Sequence, residues 1–259
     1  MFAFEIHDIT SEALGVKRRI TVWLPPGYRS RGRTPYPVLY LNDGQNLFDA
    51  SRAFGGVTWR VAETATHLVR RRRIPPLVIV GIDHGGVDRA REYLPVEDDR
   101  NPLAQGPLGR AYATFVTREL MPTIARQYAI GRGASATGFG GSSYGAVAAL
   151  FTALERPGTF GRLLLESPSL YVGHGYLLRR ALTAHRWPQR VYLGVGTAEV
   201  PNRAWSEQAV ADVRRLESTL RRAGLGPRRL RVHIEDGATH SEHAWASRLP
   251  QAVRFLFGW

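Results

Sequence analysis

The sequence contains no cysteine, which excludes a thiol nucleophile, cysteine-ligated zinc and a disulfide scaffold. It has no run approaching the ~18 apolar residues of a membrane-spanning helix, so no membrane span is expected. Its first residues, MFAFEIHDIT, have no basic stretch followed by an apolar one, as a signal peptide would. We therefore expect a cytoplasmic location.

Lysine is almost absent, because Lys17 is the only lysine in a chain whose formal net charge is +13. Arginine keeps its charge and favours forked contacts with carboxylates and phosphates, so an anionic substrate is compatible with this composition. The basic residues are dispersed and not interleaved with aromatics, so we expect no nucleic-acid partner. The longest cluster, VRRRRIPP at 69–76, ends a helical pattern, where cations suit the helix C-terminus. We therefore interpret most of the arginines as solvated surface residues.

The 259 residues show no internal repeat, low-complexity tract or linker, so we expect a single domain over 1–259. Its short apolar runs are continuous rather than alternating, which is typical of parallel strands covered on both faces. Two earlier segments, near 4–6 and 19–24, indicate an antiparallel pair that opens the sheet. The predicted buried strands are 36–41, 76–82, 134–139, 162–167, 190–196 and 230–235.

Helical periodicity separates these runs. Apolar residues recur every three or four positions over 57–68, 112–124 and 209–220, and 146–155 has helix-forming composition. Pro122 should interrupt or kink the second helix, and Gly224 should follow the end of the third. The alternation predicts an α/β fold, a mostly parallel sheet of about eight strands with helices on both faces. Ligands of such sheets bind outside the C-terminal ends of the strands.

The stretch GSSYG at 141–145 matches the G-x-S-x-G pattern of a nucleophile elbow, with Ser143 at its centre. A sharp turn from strand to helix brings the flanking backbones together, so the positions two residues either side must be small. Gly141 and Gly145 satisfy that need. No Gly-Lys-Ser/Thr follows and the stretch does not match G-x-G-x-x-G, so a phosphate loop is excluded.

A serine needs a base, and this fold places the acid and then the histidine after the serine in the chain. His240 lies in a loop after the last strand and is the preferred base, with His243, on the first turn of the final helix, in reserve. Glu199 follows the strand ending near 196 and is the preferred acid, while Asp236, close to His240 in sequence, is the rival. Histidines in less suitable positions are His174, His185 and His233.

The oxyanion hole should use two backbone amides, that of Tyr144 after the nucleophile and that of Gln45, behind Gly44 in LNDGQNLFD. The spacing of His240, Glu242 and His243 fits no established zinc pattern. We therefore expect neither a metal nor a cofactor.

Three further residues are candidates for substrate binding. Arg91 and Tyr93 follow the fourth strand and either hold a carboxylate or phenolic group of a substrate or form an exposed pair. Trp245 either lines the site or, like Trp59, belongs to the core. The polar segment 96–109 either covers the pocket or forms surface.

Across nearly its whole length the chain resembles the α/β-hydrolase esterases grouped with enterochelin (siderophore) esterases, S-formylglutathione hydrolases, feruloyl and acetyl esterases and mycolyltransferases. The resemblance implies Ser143 as nucleophile, His240 as base, Glu199 as acid, and the Gln45 and Tyr144 amides as oxyanion donors. Its most specific motifs are LNDGQNLFD and H-x-E-x-x-W; it also includes RRITVWLPPGY, REYLP, ELMPTIARQY, GGSSYGA and GTAE.

The chain departs from this family in two respects. Tyr144 stands where many members have methionine, and the cysteine-bearing loop of formylglutathione hydrolases is missing. The sequence thus predicts a serine carboxylesterase acting on a small acyl, aryl or siderophore-type ester. The alternatives are an acyltransferase that uses the same triad with an alcohol acceptor, and a non-catalytic binding protein of the same fold. The sequence does not indicate an oligomeric state.

Overall fold

A computed structural model describes residues 3–32 and 34–259, and in it the strands form one eight-stranded sheet. The spatial order of the strands is β1-β2-β4-β3-β5-β6-β7-β8. Their bounds are β1 Ala3–Ser11, β2 Val16–Leu24, β3 Val38–Asn42, β4 Val78–Ile82, β5 Thr137–Ser142, β6 Arg162–Glu166, β7 Arg190–Gly196 and β8 Leu230–Glu235.

Most of this sheet is parallel, as the sequence predicts. The pairs β1–β2 and β2–β4 are antiparallel, whereas the six strands β4, β3, β5, β6, β7 and β8 run parallel to one another. Every residue of β3, β4 and β5 is buried, because helices cover both faces of the sheet there. That burial explains why the apolar runs in the sequence are continuous.

Two hydrophobic cores lie on opposite faces of the sheet. On one face α2 and α9 pack against each other, with Trp59 and Trp245 at 5.8 Å between ring centroids. The other face is covered by α3 to α8. The helix bounds are α1 Gln45–Phe48, α2 Val61–Arg70, α3 Arg89–Tyr93, α4 Gly109–Thr114, α5 Met121–Gln127, α6 Tyr144–Glu155, α7 Val172–Leu182, α8 Arg203–Arg222 and α9 Glu242–Phe257.

Three elements differ from their sequence predictions. The helix expected over 57–68 begins only at Val61, since Val57 is extended and exposed and Arg60 has a left-handed backbone. The strand expected over 134–139 begins at Thr137, because Ala134–Ala136 form a 3₁₀ turn after Gly133, whose φ is 87°. The helix expected over 112–124 is regular in α4 and α5, but a π-helical segment, Phe115–Leu120, joins them. Pro122 follows as the second residue of α5, so the irregularity precedes the proline instead of lying on it.

The topology gathers the C-terminal ends of β3, β5, β6, β7 and β8 at one edge of the sheet, because these strands are parallel and adjacent. Loops that leave this edge carry all the predicted catalytic residues. Among the helices of the described ranges, none combines the length and apolar character that crossing a membrane requires.

Candidate active site

Ser143 occupies the turn between β5 and α6. Its backbone, with φ 54° and ψ −125°, lies in a region that non-glycine residues rarely adopt and that concentrates at functional sites. A Cβ at Gly141 would lie 2.9 Å from the Gly145 carbonyl carbon, and one at Gly145 would lie 2.8 Å from Asp43 Oδ2. Both glycines are therefore required by close packing at the bend.

His240 and Glu199 meet at the same edge, from the loops that follow β8 and β7. His240 Nδ1 and Glu199 Oε2 are 2.5 Å apart, and the His240 backbone N–H donates to the Glu199 carbonyl oxygen at 3.0 Å. The Glu199 side chain is buried, at 4% exposure, whereas that of His240 is 31% exposed. This contact fixes the imidazole so that Nδ1 faces the carboxylate, which leaves Nε2 as the nitrogen available for proton transfer.

Two further donors hold the Glu199 carboxylate. Glu199 Oε1 accepts from the Gly196 backbone N–H at 2.6 Å and from the Ser167 hydroxyl at 2.7 Å. Burial alone would raise the pKa of Glu199, but the His240 hydrogen bond and charge, with the Gly196 and Ser167 donors, lower it below its usual value. The carboxylate is therefore ionised at neutral pH.

Ser143 and His240 line one cavity of about 460 Å³ together with Glu199. Within the described residues, the side-chain partner of Ser143 Oγ is Ser169 Oγ, at 3.4 Å, and not His240. Hydrogen bonds between nucleophile and base are often long in the absence of substrate and tighten once it binds. The serine and the histidine thus share a cavity without being hydrogen-bonded.

Asp236, the alternative acid, lies elsewhere. Its Oδ1 accepts from the Thr197 hydroxyl at 2.9 Å, and it is exposed beyond the end of β8. His243, the reserve base, is exposed on the first turn of α9. The structure therefore brings His240 together with Glu199 and leaves both alternatives outside this contact.

The predicted oxyanion donors are both first residues of helices, Tyr144 of α6 and Gln45 of α1. The first N–H groups of a helix have no partner within it, which leaves them free for a ligand. The Gln45 side chain is tied to the loop after β4, since it donates to the His84 carbonyl at 3.2 Å and accepts from the His84 N–H at 3.0 Å.

The segment after β3 is held against the elbow by buried polar contacts. Asn42 Nδ2 donates to the Gly145 carbonyl at 2.7 Å, and Tyr112 donates its hydroxyl proton to Asn42 Oδ1 at 2.6 Å. The Arg89 guanidinium donates to both carboxylate oxygens of Asp43, at 2.6 and 2.8 Å. The LNDGQ stretch is thus locked to the helix that begins after Ser143.

None of the three predicted substrate-binding residues lines the cavity that contains Ser143. Arg91 is half-exposed on α3 and pairs with Asp88 at 3.2 Å. Tyr93 is fully buried, and its hydroxyl accepts from the Asp43 backbone N–H at 3.1 Å. Trp245 is buried behind the site, where its indole N–H donates to Ser167 Oγ at 2.9 Å and its ring lies 5.0 Å from that of His240.

Other residues form the cavity wall and were not singled out from the sequence. The Arg100 guanidinium lies 4.4 Å from the Tyr171 ring centroid and 5.3 Å from that of Trp205. Asp98, from the same segment, accepts from the Tyr144 hydroxyl at 2.5 Å. The segment 96–109 therefore contributes directly to the pocket. Ser167 and Ser169 follow β6 immediately, and this position was a signal that they belong to the site.

The described residues contain no group of three or more histidine, aspartate or glutamate side chains arranged to hold a metal ion. The chemistry available from the assembled groups is that of a serine, an imidazole and a carboxylate in sequence, next to free helix N–H groups. This arrangement suits nucleophilic attack on a carbonyl carbon.

Comparison with known proteins gives a consistent result. The family model Esterase, described as "Putative esterase", matches residues 11–256. The uncharacterized protein YbbA of Bacillus subtilis is 24% identical over 254 residues, covering 96% of each chain. The iron(III) enterobactin esterase of Dickeya dadantii is 32% identical over 167 residues, 64% of this chain and 33% of that protein. The crystal structure of the BES protein from Bacillus cereus superposes with a TM-score of 0.76 at 20% identity, covering 97% of this chain and 94% of that one.

Proposed function

Because this chain belongs to the Esterase family and is a carboxylic ester hydrolase, we propose that it cleaves small esters through an acyl-enzyme formed on Ser143. In this proposal His240 is the general base and then the general acid, and Glu199 orients and stabilises it. The amides of Tyr144 and Gln45 receive the negative charge of the tetrahedral intermediate.

The observation that carries the proposal is the shared cavity. A serine at a strained elbow and a histidine whose Nδ1 lies 2.5 Å from a buried glutamate face the same space, although they are about 100 residues apart in the chain. A histidine that is buried only as part of the core would not need an ionised carboxylate held by two further donors behind it.

The chemical steps balance without a cofactor. Ser143 Oγ forms a bond to the ester carbonyl carbon while its proton passes to His240 Nε2, and the carbonyl oxygen becomes an oxyanion. The C–O bond to the alcohol then breaks, and the alcohol leaves with the proton from His240. A water molecule then attacks the acyl carbon while His240 takes its proton. The bond to Ser143 Oγ breaks, His240 returns the proton to that oxygen, and the acid is released. Each oxyanion donor contributes about 3–4 kcal/mol in enzymes where it has been removed.

The aromatic residues of the cavity support an ester with a flat part, and the lining carries the carboxylate of Asp212 as well as the guanidinium of Arg100. Arg100 lies against the aromatic rings of Tyr171 and Trp205, so its guanidinium is held at the wall of the pocket. Phenolic or siderophore-type esters have groups that suit such a wall. The name of the Dickeya relative, an iron(III) enterobactin esterase, agrees with this substrate class.

Labelling with a fluorophosphonate tests the nucleophile. We expect a single adduct on Ser143 in the wild-type protein and none in Ser143→Ala, whose turnover should fall by about five to six orders of magnitude. Ser142→Ala is the matched control, because it removes the neighbouring hydroxyl and should keep both the label and the activity. Folded wild-type protein that takes up no label would instead support a binding protein without catalysis.

Product analysis in the presence of an added alcohol separates hydrolysis from transfer. A hydrolase releases the free acid in the same yield with and without the alcohol. A new ester, formed at the expense of the acid, would show that an alcohol replaces water at the acyl-enzyme and would replace our proposal with an acyltransferase.

A further inference from the structure

A second large cavity lies at the edge of the sheet opposite the active site. This open basin, about 990 Å³ in volume, is formed where β7 and β8 begin and where α2 and α9 end. We call it the basic basin, since none of the described residues that line it is an aspartate or a glutamate. Its arginines are Arg71, Arg73, Arg190, Arg228, Arg231 and Arg254.

Only some of these arginines have a structural role. Arg190 donates to the carbonyls of Phe255 and Gly258, each at 2.9 Å. It thereby pairs carbonyl groups at the C-terminal end of α9 that have no partner within the helix. Arg231 lies over the Phe255 ring at 5.2 Å from its centroid. The rest of the set, namely Arg71, Arg73, Arg228 and Arg254, is exposed and forms neither an ion pair nor a side-chain hydrogen bond within the described residues.

The arginines of α8 show a different arrangement. On α8, Arg203 pairs with Glu207 at 2.7 Å, and Arg214 and Arg221 both pair with Glu217, at 2.7 and 3.4 Å. Those arginines have acidic neighbours one helical turn away. Exposed arginines without an ion pair also occur singly elsewhere, for example Arg60 and Arg118. The basin is distinguished by six arginines around one concavity whose described lining contains no acidic residue.

Helix ends also explain only part of the cluster. Arg71 and Arg254 lie at the C-terminal ends of α2 and α9, where a cation complements the negative end of the helix dipole. Arg228 precedes a strand and has no helix end to complement. Positive charges within a Debye length repel one another, and in a concave basin their fields add. A bound anion would remove this repulsion.

We propose that the basic basin binds a compact anion carrying several phosphate groups. Guanidinium groups form paired hydrogen bonds with phosphate oxygens, and several unpaired guanidiniums around one concavity match several phosphates on one ligand. The ligand is either an inorganic polyphosphate or a nucleoside triphosphate, which share this chemistry. The exposed ring of Trp259, at the rim of the basin, offers a stacking surface that only the nucleotide would use.

Titration calorimetry with tripolyphosphate and with ATP, at about 150 mM salt, tests the proposal. The double variant Arg228→Ala/Arg254→Ala should weaken binding of tripolyphosphate by at least about tenfold, since it removes two charge-assisted contacts. The control double variant Arg179→Ala/Arg222→Ala makes the same change in charge at a different depression, between α7 and α8, and should bind within about twofold of wild type. Ser143→Ala should bind like wild type, because the basin lies at the other edge of the sheet.

Two results would overturn the proposal: no saturable binding of either probe at millimolar concentration, or equal weakening by the two double variants, which would mean attraction to net charge alone. If ATP binds more tightly than tripolyphosphate and Trp259→Ala removes the difference, the ligand is a nucleotide. Equal affinity for the two probes supports an inorganic polyphosphate. All of these outcomes are independent of esterase activity.

Discussion

Replacing Ser167 by alanine removes the hydroxyl that donates to Glu199 Oε1 at 2.7 Å. The carboxylate keeps the Gly196 N–H at 2.6 Å and the contact with His240, so it remains in place with one donor fewer. A hydrogen bond to a charged group is worth about 1.5–3 kcal/mol, and a tenfold rate change corresponds to about 1.4 kcal/mol. We therefore expect kcat/KM to fall by about 10- to 100-fold if the carboxylate must be ionised and fixed in the transition state.

The pH profile gives a second, independent readout. The Ser167 donor is one of the groups that lower the pKa of Glu199 against the opposing effect of burial. Its removal raises that pKa, so the carboxylate is protonated at a higher pH than in the wild-type protein. The acidic limb of the kcat/KM profile should accordingly move to higher pH, which a purely structural defect would not cause. The assay is hydrolysis of a p-nitrophenyl ester from about pH 3.5 to about pH 9, a range that extends below the ordinary pKa of a glutamate.

Two variants control for structural effects at this position. The φ of Ser167 is 41°, a strained value that glycine relieves, so Ser167→Gly should lose as much activity as Ser167→Ala while having a more relaxed backbone. Ser247→Ala removes a hydroxyl from α9 that donates to the Ala244 carbonyl at 2.9 Å, and it should leave the activity unchanged. Activity of Ser167→Ala within about twofold of wild type across the pH range would refute the reasoning.

Two other substitutions test the packing around the site. Gly145→Ala places a Cβ 2.8 Å from Asp43 Oδ2. It should lower the free energy of unfolding by about 1–3 kcal/mol and reduce the esterase activity. A free energy of unfolding in urea equal to that of wild type would contradict this. Arg248→Met removes the guanidinium that donates to Glu166 Oε2 at 2.8 Å. It should lower the free energy of unfolding by about 3–5 kcal/mol, because it leaves a buried charge without its partner. Burial raises the pKa of Glu166 to about 7, and loss of the Arg248 cation raises it further. When the pH is lowered from about 8 to about 5.5, Glu166 becomes protonated and the buried charge disappears. The variant should therefore regain part of its lost stability at the lower pH. An equal loss at both pH values would contradict that sign, and Arg254→Met, exposed on the same helix, is the control.

The sequence predicted the strands well because burial on both faces produces long apolar runs, as in β3 and β4. It also located the elbow, since the bend demands glycine at 141 and 145 and each of those positions has no room for a Cβ. The start of β5 was placed three residues early because Ala134–Ala136 have little preference for either strand or turn.

The sequence could not determine which way aromatic side chains point. Tyr93 lies in the expected segment, but its ring packs on Tyr112 at 4.9 Å and its hydroxyl turns inward to the Asp43 N–H. A helix of five residues such as α3 has no periodicity that assigns a buried face. The sequence also could not predict that Arg100 lies in the site. Arg100 is a polar loop residue, and nothing in its local sequence indicates that Tyr171 and Trp205, from distant elements, contact it.

Glu199 and Asp236 differ in the partner that holds each carboxylate. Asp236 is four residues before His240, at the first turn after β8, and its carboxylate is held by the Thr197 hydroxyl at 2.9 Å. Glu199 lies in the loop after the neighbouring parallel strand β7, so its carboxylate approaches the imidazole from beside the loop that carries His240. The His240 backbone N–H, which donates to the Glu199 carbonyl at 3.0 Å, joins the two loops at the same residue pair. The Glu199 carboxylate thus orients Nδ1 of His240, and in our proposal Nε2 is then free to act on Ser143.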